Sequence, residues 1–107
     1  MPGRELPIVY SLEADEDLIQ IWRYLAREAS ERVADAQLHE IDKVCARLSA
    51  QPYSGRTRNE LLLGMRSALA SPYLVFYRIG ENAIEVIRVL HGRRDIASIF
   101  AERSSDG

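Results

Sequence analysis

Near its C-terminal end the chain carries RVLHGRRDI, residues 88–96, which sets one histidine and three arginines against an apolar strand. Those residue types suit one reaction in particular. Cutting RNA by attack of a 2′ hydroxyl requires a base for the hydroxyl proton, cations for the pentavalent phosphate and an acid for the leaving oxygen. His91 is the side chain whose ordinary pKa fits proton transfer near neutrality, and Arg66, Arg78, Arg88 and Arg93 could supply the charge. The plainer reading of His91 weighs more: a strand-end histidine bonded to a backbone carbonyl, since one histidine alone seldom defines a site.

The arginines have other uses to weigh. Of the fourteen cationic residues only Lys43 is a lysine, and the half from residue 51 onward is the more basic one, although the net charge is −2. Guanidinium groups recognise carboxylates or phosphates in bidentate fashion, so this basic half points to an acidic peptide or to nucleic acid. Arg56 and Arg58 lie in a polar loop, where charge serves solubility or binding. Arg66 sits on a strand between Met65 and Ala68 and suits an acidic partner residue. Asp95 adjoins Arg93 and Arg94 and can neutralise one, leaving the other to face a partner.

Metal and redox chemistry find no support in the residue types. Cys45 is the single cysteine, and with His39 and His91 far apart no zinc spacing or internal disulfide exists, so neither metal nor cofactor is expected. MPGRELPIVY has no long apolar stretch of the signal-peptide kind, and no run approaches the ~18 apolar residues of a membrane span. A cytoplasmic protein without membrane contact is the expectation, and 107 residues suit a single domain covering 1–107.

The elements that must position these residues follow from periodicity. PIVY, residues 7–10, opens with a proline and suits an edge strand. Ser11 then caps a helix whose Ala14, Leu18, Ile21 and Leu25 recur at helical spacing, with Glu13, Asp15, Glu16 and Asp17 at its positive end. Ser30 caps a second helix with a stripe of Leu38, Ile41, Cys45 and Leu48, and Pro52 ends it. The two form an antiparallel hairpin, followed by the loop QPYSGRTRNE.

From residue 64 the period becomes extended. MRSALA, YLVFYRI and AIEVIRVL read as a three-stranded antiparallel meander, and the final segment as one or two helical turns before an untethered polar tail. The implied fold is α+β: a small antiparallel sheet, made of the N-terminal strand and the meander, covered on one face by the hairpin and at least partly free on the other. A two-residue turn at Glu81-Asn82 sets Gly80 against Ala83 and pairs Arg78 with Glu85. The same register puts Arg88 on the opposite face, beside Tyr73, Tyr77 and Leu90. Trp22, Tyr73, Phe76 and Tyr77 read as packing residues rather than a base-stacking platform.

ADEDLIQIWRYL on the first helix, LSAQPYSGRTRNELLLGMRS after the second, and YLVFYRIGENAIEVIRVLHGRRDI in the sheet resemble the RelE/ParE superfamily of toxins from type II toxin-antitoxin systems. The resemblance spans residues 7–100, and the RVLHGRRD, GMRS and FYRI segments look most like the ParE branch. It implies a ParD-like antitoxin, a toxin-antitoxin hetero-oligomer and DNA gyrase as target, with no nucleic-acid binding by the chain alone. RelE-like toxins instead cut mRNA on the ribosome with lysines, arginines and a late tyrosine. Here no lysine follows residue 50 and no tyrosine follows Tyr77, which lowers that alternative.

The reading adopted is therefore a binding protein. Leu18, Ile21, Trp22 and Leu25, an apolar surplus on the first helix, are expected to meet the antitoxin together with Arg66 and Arg88. Arg56, Arg58, Arg93 and Arg94 are expected to meet the target. The alternatives are a ribosome-dependent nuclease using Arg66, His91 and Arg93, and a non-toxic module that binds its antitoxin.

Overall fold

The computed structural model describes residues 5–105. Both serine caps form: the Ser11 hydroxyl accepts from the backbone N–H of Ala14, and that of Ser30 from Val33, each satisfying a donor left open at a helix start. The order is β1 (Ile8–Tyr10), α1 (Leu12–Glu28), α2 (Glu31–Ala50), a 3-10 turn (Pro52–Ser54), β2 (Arg56–Thr57), β3 (Met65–Ala70), β4 (Tyr73–Ile79), β5 (Ile84–His91) and α3 (Ile96–Ser105). No helix among the described residues is long and apolar enough to cross a membrane.

The fold is α+β, with a five-stranded sheet ordered β1-β5-β4-β3-β2. The meander is as expected, and β1 lies at the edge, as its proline suggests. Two details correct the expected sheet. β1 pairs parallel with β5, Ile8 opposite Ile84, so the sheet is mixed rather than antiparallel. Inside the expected loop, β2 pairs antiparallel with β3 at Arg66 and Ser67. Neither pairing has a local signal, because one joins segments far apart in sequence and the other involves only two residues.

One core lies between the hairpin and the sheet, where Ile41, Val44, Cys45 and Leu48 of α2 meet Val75, Tyr77, Val86 and Val89. A second core occupies the face expected to be partly free. There Met65, Phe76, Ile87 and Leu90 are covered by Phe100 of α3, with Leu61, Leu62, Ile96 and Ile99 around them. Covering these side chains takes more than one or two turns of helix. α3 accordingly runs for 10 residues and takes in part of the expected tail, of which residues 106 and 107 lie outside the described residues.

The β4–β5 register begins as read from the turn: the Gly80 N–H donates to the Ala83 carbonyl at 2.8 Å, and Arg78 lies opposite Glu85. Their side chains stay in solvent, however, and no ion pair within 4.0 Å joins them. A β-bulge between Phe76 and Tyr77 then shifts the pairing, so Tyr77 faces Val86 while Phe76 faces Arg88. The inserted residue also corrects the expected company of Arg88. Tyr73 and Tyr77 belong to the hairpin-side core and Leu90 to the other, so the three share no face. Tyr73, Phe76 and Tyr77 are buried packing residues, as their periodicity indicated.

Candidate functional site

β1 covers β5 only as far as Val86, whose carbonyl accepts from Ser11 N. Beyond that point α1 takes over the strand edge. The Ser11 hydroxyl donates to the Ile87 carbonyl at 2.8 Å, and six residues on, Asp17 Oδ2 accepts from Val89 N at 2.9 Å. Arg88 closes on the same carboxylate: Nε donates to Oδ2 at 2.7 Å and Nη2 to Oδ1 at 2.9 Å. With Asp17 only 8% exposed, this fork neutralises a carboxylate that burial would otherwise penalise. The bonds from Asp17 hold the Arg88 guanidinium above its ordinary pKa. In the isolated chain Arg88 therefore ties α1 to the sheet.

Arg66 is similarly engaged. It donates to the carbonyls of Tyr53 at 3.2 Å and Gly55 at 2.8 Å, and its guanidinium lies 5.0 Å from the centre of the Tyr53 ring. The buried Tyr77 bolts down the same loop, its hydroxyl donating to the Pro52 carbonyl at 2.7 Å and accepting from Gly55 N at 3.0 Å. Burial pushes the Tyr77 phenol above its ordinary pKa, which keeps it the donor that Pro52 requires. Arg58 pairs with Glu60 at 2.8 Å and covers the Phe76 ring at 5.5 Å. Arg56, which opens β2 after this loop, is exposed, as is Tyr53.

At the far end of β5, His91 Nδ1 accepts from the backbone N–H of Arg93 at 3.1 Å, and its ring meets that of Tyr73 edge-on at 5.4 Å. The partner is an amide rather than the expected carbonyl. Arg93 and Arg94 are both exposed in the turn that follows. Asp95 is occupied elsewhere, capping α3 by accepting from Ser98 N at 3.2 Å and Ser98 Oγ at 2.8 Å; those bonds hold its carboxyl below the ordinary range.

The register separates the three residues that a nuclease would need together. Arg66 lies opposite Tyr77, itself opposite Val86, whereas His91 lies opposite Tyr73, itself opposite Ala70. At ~3.3 Å per residue and ~4.8 Å per strand, Arg66 and His91 start about 13 Å apart along the strands and two strands apart across them. A single phosphate cannot bridge that. Arg93 joins His91 at the turn, while Arg66 stays with the loop.

The helical hairpin offers apolar surface instead. Leu18, Trp22 and Leu38 enclose, with Ile19 and Arg23, a groove of about 290 Å³ on its outer side. The Trp22 indole N–H donates to Asp35 Oδ1 at 2.8 Å, fixing the ring across the seam between α1 and α2. A second groove, of about 480 Å³, runs between α1 and the end of β5, lined by Ile21, Tyr24, Leu25, Tyr73, His91 and Arg94 among others. Of the four α1 residues singled out, Ile21 is buried, and Leu18, Trp22 and Leu25 are half-buried at the margins of these grooves.

The family model for the ParE toxin of type II toxin-antitoxin system, parDE, matches residues 8–96, which take in every strand and both hairpin helices. The chain belongs to the ParE toxin family. Toxin ParE3 of Caulobacter vibrioides is 34% identical over 88 residues, covering 82% of this chain and 88% of the relative. Toxin ParE1 of Mycobacterium tuberculosis is 34% identical over 84 residues, 78% of this chain and 86% of the relative. Toxin ParE of Escherichia coli is 31% identical over 97 residues, 89% and 93% of the two chains. Among solved structures, the chromosomal ParDE toxin-antitoxin system from P. aeruginosa superposes with a TM-score of 0.71 at 17% identity, covering 82% of this chain and 97% of that one. The RelBE2 toxin-antitoxin complex from Mycobacterium tuberculosis gives 0.58 at 23% identity, covering 81% and 98%. At such identities these two likenesses concern the fold alone.

One residue that organises this ParE-family chain escaped the sequence reading. Asp17 was counted among the acids that favour a helix N-terminus, yet it lies three residues after Ala14 and four before Ile21, all three of them buried. An acid on the apolar stripe of a helix requires a buried partner. That spacing was the available signal.

Proposed function

We propose that this ParE-family toxin inhibits growth by binding DNA gyrase, and that a ParD-like antitoxin neutralises it. The observation that carries a binding mechanism is the state of the arginines. Arg88 is held by Asp17, Arg66 by two loop carbonyls, and His91 lies two strands away from Arg66. Base, cations and acid do not converge. On the sheet and its loops, the arginines that reach solvent are Arg56 at the start of β2, Arg78 on β4, and Arg93 with Arg94 after β5, a set suited to an acidic protein surface.

The target itself rests on the resemblance to the ParE branch. The toxin stabilises the gyrase state in which DNA is cut and not resealed, so the host enzyme's own chemistry does the damage in the cytoplasm. It must prefer that state, because equal affinity for every state shifts no equilibrium. The antitoxin is acidic and partly disordered when free. It folds onto the hairpin grooves, where charge speeds the encounter and apolar contact slows release.

Induction without antitoxin tests the reading, with DNA damage and mRNA 5′ ends followed in one culture and cleaved gyrase complexes measured with purified protein. Early DNA damage, accumulated cleaved complexes and intact transcripts are expected. New site-specific 5′ ends on translated messages, abolished by His91→Ala, would replace gyrase poisoning with ribosome-dependent cleavage. Unimpaired growth would leave a non-toxic antitoxin-binding module.

A further inference from the structure

The outward side of α1 carries apolar residues that neither core uses. Leu12 is 73% exposed and Ile19 is 50% exposed, and Ile19 continues into the groove formed with Leu18, Trp22 and Leu38. Leu12, Ile19 and Ala26 are seven residues apart, a spacing that drifts only ~20° per step and so draws a nearly straight line along the helix. The line runs on the side away from the buried Ala14 and Ile21.

Two opposite charges on the same surface are placed symmetrically about Ile19. Asp15 lies four residues before it and Arg23 four after, both exposed and neither in an ion pair among the described residues. Leu12 and Ala26 occupy the matching places seven residues away. A pattern with opposite signs at equal distances from an apolar centre is complementary to its own copy turned through a half-rotation.

We propose that a second copy of this chain docks on α1, helix against antiparallel helix, with the twofold axis at Ile19. Ile19 then packs on the partner's Ile19, Leu12 on the partner's Ala26, and Asp15 faces the partner's Arg23 at both ends. The parallel arrangement is disfavoured, because it sets Asp15 on Asp15 and Arg23 on Arg23. A single pair of helices buries an area at the low end of specific interfaces, so association falls in the micromolar range and the isolated chain exchanges between monomer and dimer. Ile19 and Arg23 also line the hairpin groove, so an antitoxin seated there would compete with the dimer, which is therefore a property of the purified chain alone.

Sedimentation velocity over a concentration series tests it with the full chain and the variants Asp15→Arg, Arg23→Asp and the double exchange. The wild type is expected to dimerise, each single variant to self-associate at least tenfold more weakly, and the double variant to recover. An equimolar mixture of the two single variants is expected to form the heterodimer, because each supplies the charge that the other needs. Ile19→Glu weakens association without altering Asp15 or Arg23, and so serves if a charge variant loses its helical circular dichroism signal. A wild type that stays monomeric at every concentration overturns the proposal. So does a dimer indifferent to Ile19→Glu, or a double variant as weak as the singles.

Discussion

Asp17 on α1 and Arg88 on β5 form a forked pair in which both guanidinium contacts are 2.9 Å or shorter, and the same carboxylate also accepts the backbone N–H of Val89. The pair sits where β1 ends and α1 becomes the neighbour of β5. It therefore locks the hairpin to the sheet at the point where strand pairing stops.

Removing one member leaves the other charged and poorly solvated. Asp17→Ala should destabilise the chain by about 3 to 5 kcal/mol, the usual cost of orphaning a buried charge. Asp17→Ala with Arg88→Met should recover a substantial part of that, since two apolar side chains leave no unpaired ion. Urea denaturation of the two single variants and the double variant measures the coupling. Additive losses would mean that the pair contributes no mutual stabilisation.

A second lock joins the loop to the sheet. A Cβ at Gly55 would lie 2.8 Å from Tyr77 Cε1 and 2.9 Å from the Ser67 carbonyl, both too close and neither at the end of a flexible side chain. Gly55→Ala should cost about 1 to 3 kcal/mol by overpacking. Tyr77→Phe should cost a similar amount, because the Pro52 carbonyl and the Gly55 N–H lose their shared hydroxyl. Thermal unfolding of each variant provides the check, and an unchanged Tm for Gly55→Ala would mean that the loop moves freely off Tyr77.

Alkaline pH should unfold this chain readily. Burial raises the pKa values of Tyr10, Tyr73 and Tyr77 above the ordinary 10.0, and that of Cys45 above 9.0. The folded state then holds protons that the unfolded state has released. The stability these groups contribute is complete below the unfolded pKa values and declines as pH rises past them toward the folded ones. Denaturation midpoints should hold steady up to about pH 8.5 and fall beyond it, and in a Tyr24→Phe, Tyr53→Phe variant, which lacks the two exposed tyrosines, tyrosinate absorbance should appear only as the chain unfolds. In that variant, tyrosinate formed at about pH 10 while the fold persists would contradict the burial argument.

Local chemistry was legible in the sequence where a single residue decides it. Ser11 and Ser30 announce their helices, and Gly80-Glu81-Asn82 announces the turn that sets Arg78 against Glu85. Long-range pairings were not, because the partner of a segment is not written beside it. β1 finds β5 from the other end of the chain, and the inserted residue in β5 reverses the face on which Arg88 was expected. The arginine positions likewise carried no mark of their use. Only the fold separates Arg88, turned to Asp17, from Arg56, left in solvent.

That separation bears on antitoxin binding. Leu18 and Trp22 border the apolar groove of the hairpin, and the Trp22 ring is held in place by its bond to Asp35, so little side-chain freedom is lost when a ligand covers it. Arg56 is exposed on β2 and does not line that groove, and a charge outside the apolar contact changes the encounter rate more than the lifetime of a complex. Against a ParD-like antitoxin, Leu18→Ala and Trp22→Ala should therefore weaken affinity by about 2 kcal/mol or more through faster dissociation. Arg56→Ala should cost under about 1 kcal/mol, chiefly as slower association that vanishes at high salt. Surface plasmon resonance at two ionic strengths separates these effects. Equal losses in all three variants, or a faster off-rate for Arg56→Ala, would place the antitoxin across the arginine loop rather than in the hairpin groove.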